Sequence, residues 1–222
     1  MRRKVTPELL DDASDPGKVA IALTDLRHIN DWFGGTRLTI QLLRQVAGSC
    51  KSLSLLEVGS GAGHVPLTAR RVLAEKGREL NVTLLDRMWS HLPPNGIASV
   101  AGDALNLPLC DQAFDVVSCT LFAHHLEPDT LRSFAQDALR VCRRAVLIND
   151  LIRSPIHLGL VYAGLPLFRS RITWHDAPAS VRRAYTRAEM GDILKGLPAA
   201  KLDISRHYLY RMGVLLWKTA ST

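Results

Sequence analysis

Residues 55–64 read LLEVGSGAGH and decide the fold of this chain. An apolar run leads into three alternating glycines, Gly59, Gly61 and Gly63, and an apolar pattern of helical spacing follows in residues 65–72. This order predicts a buried parallel strand, a tight turn and a helix whose free N–H groups face the turn. Glycine allows a positive φ and puts no Cβ in the way of a ligand. The stretch therefore predicts a nucleotide-like cofactor at the carboxyl end of this strand.

The spacing of the glycines separates two classes of cofactor. A dinucleotide fingerprint, G-x-G-x-x-G, would place its third glycine at position 64, where this chain has His64. The glycines instead occupy alternate positions, and Glu57 precedes them. The spacing therefore disfavours a nicotinamide-dependent oxidoreductase, which stays open as an alternative.

Two aspartates follow the glycine turn at the ends of later strands. Residues 81–86, NVTLLD, read as a second strand that ends in Asp86, where a carboxylate can accept both ribose hydroxyls of a nucleotide. Asp103 follows a third short apolar run and could accept from an adenine amine. A single aspartate at such a position is usually a turn former or a helix cap. Because these two come in order after a glycine loop, contact with a cofactor is the favoured interpretation.

The E-x-G-x-G-x-G pattern of residues 57–63 resembles motif I of the class I S-adenosylmethionine-dependent methyltransferases. Asp86, Asp103 and the HHL triplet at 124–126 match later motifs of this family in order and spacing. Within the family, the GDA, FDVV and HHL runs resemble the small-molecule branch, which includes ubiquinone/menaquinone-biosynthesis and natural-product O- or C-methyltransferases. The resemblance implies an α/β fold: a Rossmann-like, mostly parallel sheet of seven strands with helices on both faces.

The resemblance also implies S-adenosylmethionine as the cofactor and S-adenosylhomocysteine as the product. The cofactor-binding residues predicted in the core are Glu57, Gly59, Ser60, Gly61, Gly63, Asp86, Arg87, Asp103, Ala104 and Cys119. Arg27 and Asn30 lie in a predicted N-terminal helix and could donate to the methionine carboxylate. A packed helix with a solvated arginine is the alternative for these two residues.

Three histidines are candidates for a general base, since histidine titrates near neutral pH. His124 and His125 follow the fourth predicted strand at the crevice, and His175 lies beside Asp176 in a later segment. An alcohol or phenol acceptor would benefit from such a base. The alternative is that the 124–125 pair contacts the cofactor or caps the next helix. Neighbouring His and Asp side chains seldom face each other, so His175 and Asp176 are not expected to form a dyad.

A length of 222 residues suits one α/β domain. We expect an N-terminal helical cap (1–50), a cofactor-binding core (51–150), an acceptor-side lid after strand five (151–198) and a C-terminal strand pair (199–222). The lid segment contains an apolar helix at 156–168 and a polar turn at 174–178, although a core helix at a sheet edge is the alternative. The elements expected elsewhere are helices at 7–13, 18–33, 36–47 and 127–141 and strands starting near 53, 80, 97, 114, 144, 200 and 211.

Composition narrows the classes of partner. The formal net charge is +7, but the paired arginines are scattered and are not interleaved with aromatic residues, so no nucleic-acid surface is expected. The four cysteines lie far apart without C-x-x-C spacing, which argues against zinc or a disulfide framework and fits a reducing cytoplasm, and no metal site is expected. No signal peptide or transmembrane segment is expected. A monomer or homodimer is predicted.

These patterns predict a methyltransferase that acts on a small, fairly apolar acceptor. O-methylation of a phenolic or polyketide-like metabolite is favoured, because residues 173–184 resemble methyltransferases of bacterial aromatic-polyketide-type pathways. C-methylation of a quinone-type ring, the nicotinamide-dependent oxidoreductase and a non-catalytic cofactor-binding protein are the alternatives.

Overall fold

A seven-stranded sheet lies at the centre of the structure, a computed structural model that describes residues 1–10, 15–93 and 96–219. Its strands are β1 (Ser52–Val58), β2 (Glu79–Asp86), β3 (Ala98–Ala101), β4 (Phe114–Thr120), β5 (Cys142–Leu151), β6 (Ala199–His207) and β7 (Arg211–Lys218). The spatial order is β3-β2-β1-β4-β5-β7-β6. Only β7 runs opposite to the other strands and pairs antiparallel with β5 and β6, so the sheet is mostly parallel, as the sequence predicts.

The order of the strands places the ligand crevice. The chain runs outwards from β1 to β3 and then returns to β4 on the other side of β1. In open α/β sheets, ligands bind at this switch point, beyond the carboxyl ends of the strands. The middle of β1 and of β5 is apolar because each strand is covered on both faces, and Leu55, Leu56 and Leu147 have no exposed surface.

Seven helices are present among the described residues: α1 (Pro16–Trp32), α2 (Gly35–Ala47), α3 (His64–Ala74), α4 (Pro128–Val141), α5 (Pro155–Gly164), α6 (Arg171–Arg183) and α7 (Arg187–Leu194). Apolar side chains of α2 and α3 pack on one face of the sheet, and those of α4 and α7 pack on the other. The predicted fold class is confirmed. None of the described helices is both long and apolar enough to cross a bilayer.

Three local predictions need correction. The helix predicted at 7–13 is wrong for residues 7–10, which form coil and a turn, and its remainder lies outside the described residues. The predicted polar turn at 174–178 lies inside α6, which begins after Ser170, whose hydroxyl accepts from the Ile172 N–H. The helix predicted at 156–168 ends at Gly164 and continues as a 3₁₀ turn. Pro166 has no N–H to extend the α-helix.

The N-terminal segment, residues 1–10, lies against α6. The Lys4 N–H donates to the Arg182 carbonyl, and the N–H groups of Leu9 and Leu10 donate to the Asp176 carboxylate. These bonds explain why Asp176 is buried inside a helix instead of lying in an exposed turn. They also bring Glu8 to the carboxyl edge of the sheet, where Ser180 of α6 donates to its carboxylate.

Candidate active site

A cavity of about 770 Å³ lies along the carboxyl edge of the sheet. Its floor is the loop after β1 together with the ends of β2 and β4. The opposite walls are apolar side chains of α1, α5 and α6: Leu26, Ile29, Leu160, Val161 and Ile172. The cavity therefore joins the predicted cofactor loop to the segment that follows β5.

The three glycines after β1 have different structural roles, although all have positive φ: 63° at Gly59, 50° at Gly61 and 70° at Gly63. A Cβ on Gly59 would lie 2.5 Å from the Phe122 ring, and one on Gly63 would lie 2.5 Å from a methyl group of Leu84. A Cβ on Gly61 would meet nothing within 4 Å. Two glycines therefore permit close packing, whereas Gly61 keeps open a space that borders the cavity.

Asp86, the last residue of β2, connects that strand to the glycine loop. One carboxylate oxygen accepts from the Gly61 N–H at 2.8 Å, and the other accepts from the Met88 N–H at 2.9 Å. Each oxygen has a further lone pair, because a carboxylate offers about four acceptor positions. Asp86 lines the cavity and can accept ligand hydroxyls while it holds the loop.

Glu57 is a carboxyl group buried beneath the same loop, with 1% of its surface exposed. Burial raises the pKa of Glu57 to about 7, and a hydrogen bond from the Ser118 hydroxyl opposes this effect only in part. The group is therefore partly protonated near neutral pH. A cationic ligand group beside it would favour the carboxylate.

The cavity brings together all but one of the predicted cofactor-binding residues. Those that line it are Arg27, Asn30, Glu57, Gly59, Ser60, Gly61, Gly63, Asp86, Arg87, Asp103 and Ala104. Cys119 is the exception, since its side chain is fully buried in the hydrophobic core. Successive side chains of a strand point to opposite faces, so the residue of β4 that lines the cavity is the next one, Thr120. The prediction of a cofactor contact for Cys119 is corrected accordingly.

His124 is held between two carboxylates at the far end of the cavity. Its Nδ1 lies 2.7 Å from an Asp150 oxygen, and its Nε2 lies 3.4 Å from a Glu8 oxygen. Burial alone would lower the pKa of His124, but the charges of Asp150 and Glu8 raise it to about 9. A ring that is protonated at neutral pH does not accept a proton from a substrate. The prediction of His124 as a general base is therefore corrected.

His125 and His175 have different surroundings. His125 lines the cavity, its side chain is 21% exposed, and its Nε2 lies 3.6 Å from the second Glu8 oxygen. His175 is not among the residues that line the cavity, and its side chain is 41% exposed. Contrary to expectation, His175 does face its neighbour, with Nδ1 2.8 Å from Asp176. Of the three candidates, His125 is the one placed to accept a proton inside the cavity.

The side chains of Glu8, His124 and His125 lie close together. Their possible ligand atoms are within 4.8 Å of one another, and among the described residues this is the group that could hold a metal ion. Attraction between the Glu8 carboxylate and the two histidine rings also brings these atoms together. The sequence did not indicate this cluster, because Glu8 lies more than 100 residues before the histidines.

Comparison with known proteins agrees with this geometry. Residues 56–148, which include the glycine loop, Asp86, Asp103 and the histidine pair, match the family model described as a methyltransferase domain. This part of the chain is therefore similar to a methyltransferase domain, and the whole chain shares its fold with S-adenosylmethionine-dependent methyltransferases of known structure. None of the curated proteins matches it.

Solved structures of methyltransferases share the fold. An S-adenosylmethionine-dependent methyltransferase from Aquifex aeolicus is 16% identical, with a TM-score of 0.56 over 97% of this chain and 100% of that one. The plantazolicin methyltransferase BpumL, in complex with a pentazolic desmethylPZN analogue and S-adenosylhomocysteine (SAH), is 16% identical with a TM-score of 0.68 over 93% and 92%. Magnesium protoporphyrin IX methyltransferase from Synechocystis PCC 6803 is 14% identical, with a TM-score of 0.55 over 84% and 82%.

The residues of the cavity fit S-adenosylmethionine, the cofactor that the sequence predicts. The space that a Cβ on Gly61 would fill gives the cofactor access to the loop. We expect Asp86 to accept from its ribose and Glu57 to lie beside its positively charged methionine end. The Asn30 side chain donates one N–H to the Leu26 carbonyl and accepts from Arg211, which leaves one N–H for the cofactor. Arg27 is exposed and also lines the cavity, so both residues stay candidates.

Sequence reasoning missed Arg211, the first residue of β7. It lines the cavity with 1% of its surface exposed, and it is the largest fully buried side chain among the described residues. Its position at the start of an apolar strand, RMGVLLWK, was the available signal. A cation at that point is unusual, because arginine is rarely fully buried without a charged partner.

Proposed function

We propose that this chain is a methyltransferase that transfers the methyl group to an oxygen atom of a small, largely apolar molecule, and that phenolic or polyketide-like metabolites are its acceptors. The observation that carries the proposal is the apolar acceptor half of the cavity. Side chains of α5, α6 and the turn between them line it: Leu160, Val161, Leu167, Phe168 and Ile172. Pockets for small molecules combine such apolar walls with a few polar groups that fix orientation.

Most of the lining on this side of the cavity is apolar, which supports an apolar, aromatic acceptor. The polar side chains that interrupt it are Glu8, His124, His125, His157, Thr173, Asp176, Ser180 and Arg211. One structural relative, the plantazolicin methyltransferase BpumL, holds a pentazolic desmethylPZN analogue together with SAH, and its likeness covers 93% of this chain. We infer a place in secondary metabolism for this chain as well.

The cofactor supplies an electrophilic methyl group and a leaving group that departs without a proton. The protein aligns the acceptor oxygen and excludes water, which can contribute ~7–11 kcal/mol to lowering the barrier. His125 then receives the hydroxyl proton. The Glu8 carboxylate lies beside it and stays charged, since burial alone would raise its pKa but His124 and His125 lower it to about 2. This negative charge stabilises the imidazolium that forms on His125.

The experiment that tests this proposal has two stages. Calorimetry should show that the protein binds SAH and not NADH. Turnover is then measured with labelled S-adenosylmethionine and a panel of phenols and quinones, and mass spectrometry of the product distinguishes O- from C-methylation. Binding of NADH alone would support the oxidoreductase, and binding of SAH without turnover of any acceptor would support a non-catalytic protein.

Replacing Asp86 by alanine should weaken SAH binding by ~1.5–3 kcal/mol, the scale of hydrogen bonds to a charged group. The variant loses the acceptor for the ribose hydroxyls and also the bond to the Gly61 N–H. Calorimetry measures the change, and thermal unfolding verifies that the variant is folded. The matched control is Asp111→Ala, which removes an exposed aspartate paired with Arg140 outside the cavity. An unchanged dissociation constant for Asp86→Ala would place the ribose contact elsewhere.

Replacing His125 by alanine should lower turnover by ~10²-fold or more, because a positioned general base typically contributes that much. SAH affinity should change little, since the acceptor half of the cavity holds this ring. The inflection of the pH–rate profile that belongs to the base should disappear at the same time. His175→Ala is the control and should turn over at the parent rate, since His175 lies outside the cavity lining. If His125→Ala also turned over at the parent rate, His125 would not be a general base, and catalysis would depend on proximity and desolvation.

A further inference from the structure

Arg211 has unused hydrogen-bonding capacity inside the cavity. Its Nη2 donates to the Asn30 side chain at 3.1 Å, but Nε and Nη1 are buried without a hydrogen-bond partner among the described residues. Burial lowers the pKa of Arg211 to about 10, so the group is still cationic at neutral pH. The side chain therefore brings a positive charge and free N–H donors to a water-poor surface.

The protein itself does not satisfy this charge. Asp150 is the acid whose charge acts on Arg211, but its oxygens already accept from the Leu151 N–H and from the backbone and ring of His124. No ion pair to Arg211 is found in the part of the chain that the structure describes. A buried charge without a partner is costly, and buried polar groups in folded proteins nearly always have one. A ligand that carries an anion would supply it.

We propose that Arg211 receives a carboxylate of the methyl acceptor, which would make the substrate an apolar molecule with an acidic group. A guanidinium presents its donors in a planar fork that matches a carboxylate. This inference rests on the proposed function, because it names a feature of the molecule that enters the acceptor half.

The position of Arg211 in the sheet favours the acceptor over the cofactor as the source of the carboxylate. Because β7 runs antiparallel to β5, its first residue lies at the carboxyl edge of the parallel strands. Three strand spacings, about 14 Å, separate β7 from β1 and its glycine loop. Among the cavity residues, Asn30 of α1 is the hydrogen-bond partner of Arg211, Leu209 lies two positions before it in the chain, and His157 stacks on Tyr210, the residue before it.

The test compares 3-hydroxy-2-naphthoate with its neutral carboxamide, titrated into the full-length protein saturated with SAH. The parent protein should bind the acid at least ~10-fold more tightly, the scale of a hydrogen-bonded charge pair. Arg211→Met should remove this preference. Met fills a similar volume without the charge, and replacing a buried charge by an apolar residue often leaves stability unchanged. Arg211→Lys, which keeps the charge but not the fork, should retain part of the preference.

Arg37→Met is the matched control, since it removes an exposed arginine of α2 outside the cavity and should keep the full preference. SAH and 5′-methylthioadenosine, which lacks the carboxylate, are titrated into the same variants. If Arg211→Met weakens SAH binding tenfold but leaves methylthioadenosine unchanged, the carboxylate belongs to the cofactor and the proposal is overturned. Equal binding of acid and amide by the parent protein, or a preference that survives in Arg211→Met, also overturns it. If the parent does not bind SAH, the proposed function fails, while the acid–amide comparison on the protein alone still decides the role of Arg211.

Discussion

Replacing Gly61 by valine is expected to abolish detectable binding of SAH, a loss of at least ~10³-fold, while the protein stays folded. A Cβ at this position would meet no protein atom within 4 Å, so the side chain has room in the protein itself. The space that it would enter borders the cavity, where the cofactor approaches the backbone. Gly59 and Gly63 are unsuitable for this test, because their substituents would collide with Phe122 and Leu84 and would disturb packing as well.

The control must separate blocked space from backbone strain, since φ at Gly61 is +50° and a side chain is disfavoured there. Gly77→Val is matched in this respect: φ is +68°, nothing lies within 4 Å of its Cβ position, and the residue is outside the cavity lining. Both variants should lose a similar amount of thermal stability, but only Gly61→Val should lose SAH binding in calorimetry. A folded Gly61→Val protein with parent affinity would show that the cofactor does not occupy the loop.

The cofactor half of the site could be predicted from sequence because its chemistry follows from local patterns. The glycine turn and Asp86 each end a recognisable apolar strand, and parallel strands bring such ends together at one edge. Cys119 was assigned wrongly, although it lies at the end of the right strand. The side-chain alternation that sends Thr120 to the cavity sends Cys119 into the core.

The acceptor half could not be predicted in the same way, since its charges pair across the whole chain. His124 reads as an ordinary base until Glu8 from the N-terminal segment and Asp150 from β5 are placed beside it. The predicted turn at 174–178 failed for a related reason. Asp176 accepts two N–H donors from the N-terminal segment, a tertiary contact that overrides the local preference of its sequence. Arg211 reaches the cavity because β7 runs in the reverse direction, which brings the first residue of that strand to the carboxyl edge of the parallel strands.

Glu57 should make the stability of the cofactor-free protein fall as pH rises from about 4.5 to 7. Its pKa is about 7 in the folded protein, and the ordinary value for a glutamate is 4.5, so the folded state binds more protons than the unfolded state within this window. The free energy of unfolding therefore falls as Glu57 ionises, and it stops falling above the pKa of the folded protein. The difference of about 2.5 in pKa corresponds to about 3 kcal/mol.

Urea unfolding of the parent and of Glu57→Gln at pH 5, 6, 7 and 8 measures this effect. The amide is neutral throughout, so the free energy of unfolding of the variant relative to the parent should increase by about 2.5 kcal/mol from pH 5 to pH 8. Titration of the other groups, His124 among them, is common to both proteins and cancels in the difference. Glu75→Gln, an exposed glutamate after α3, is the control and should keep a constant difference from the parent. A constant difference for Glu57→Gln as well would mean that Glu57 is already ionised in the folded protein. In that case Glu57 would not have to lose a proton when the cationic methionine end of the ligand binds beside it. The affinity for SAH would then not rise with pH between 6 and 8.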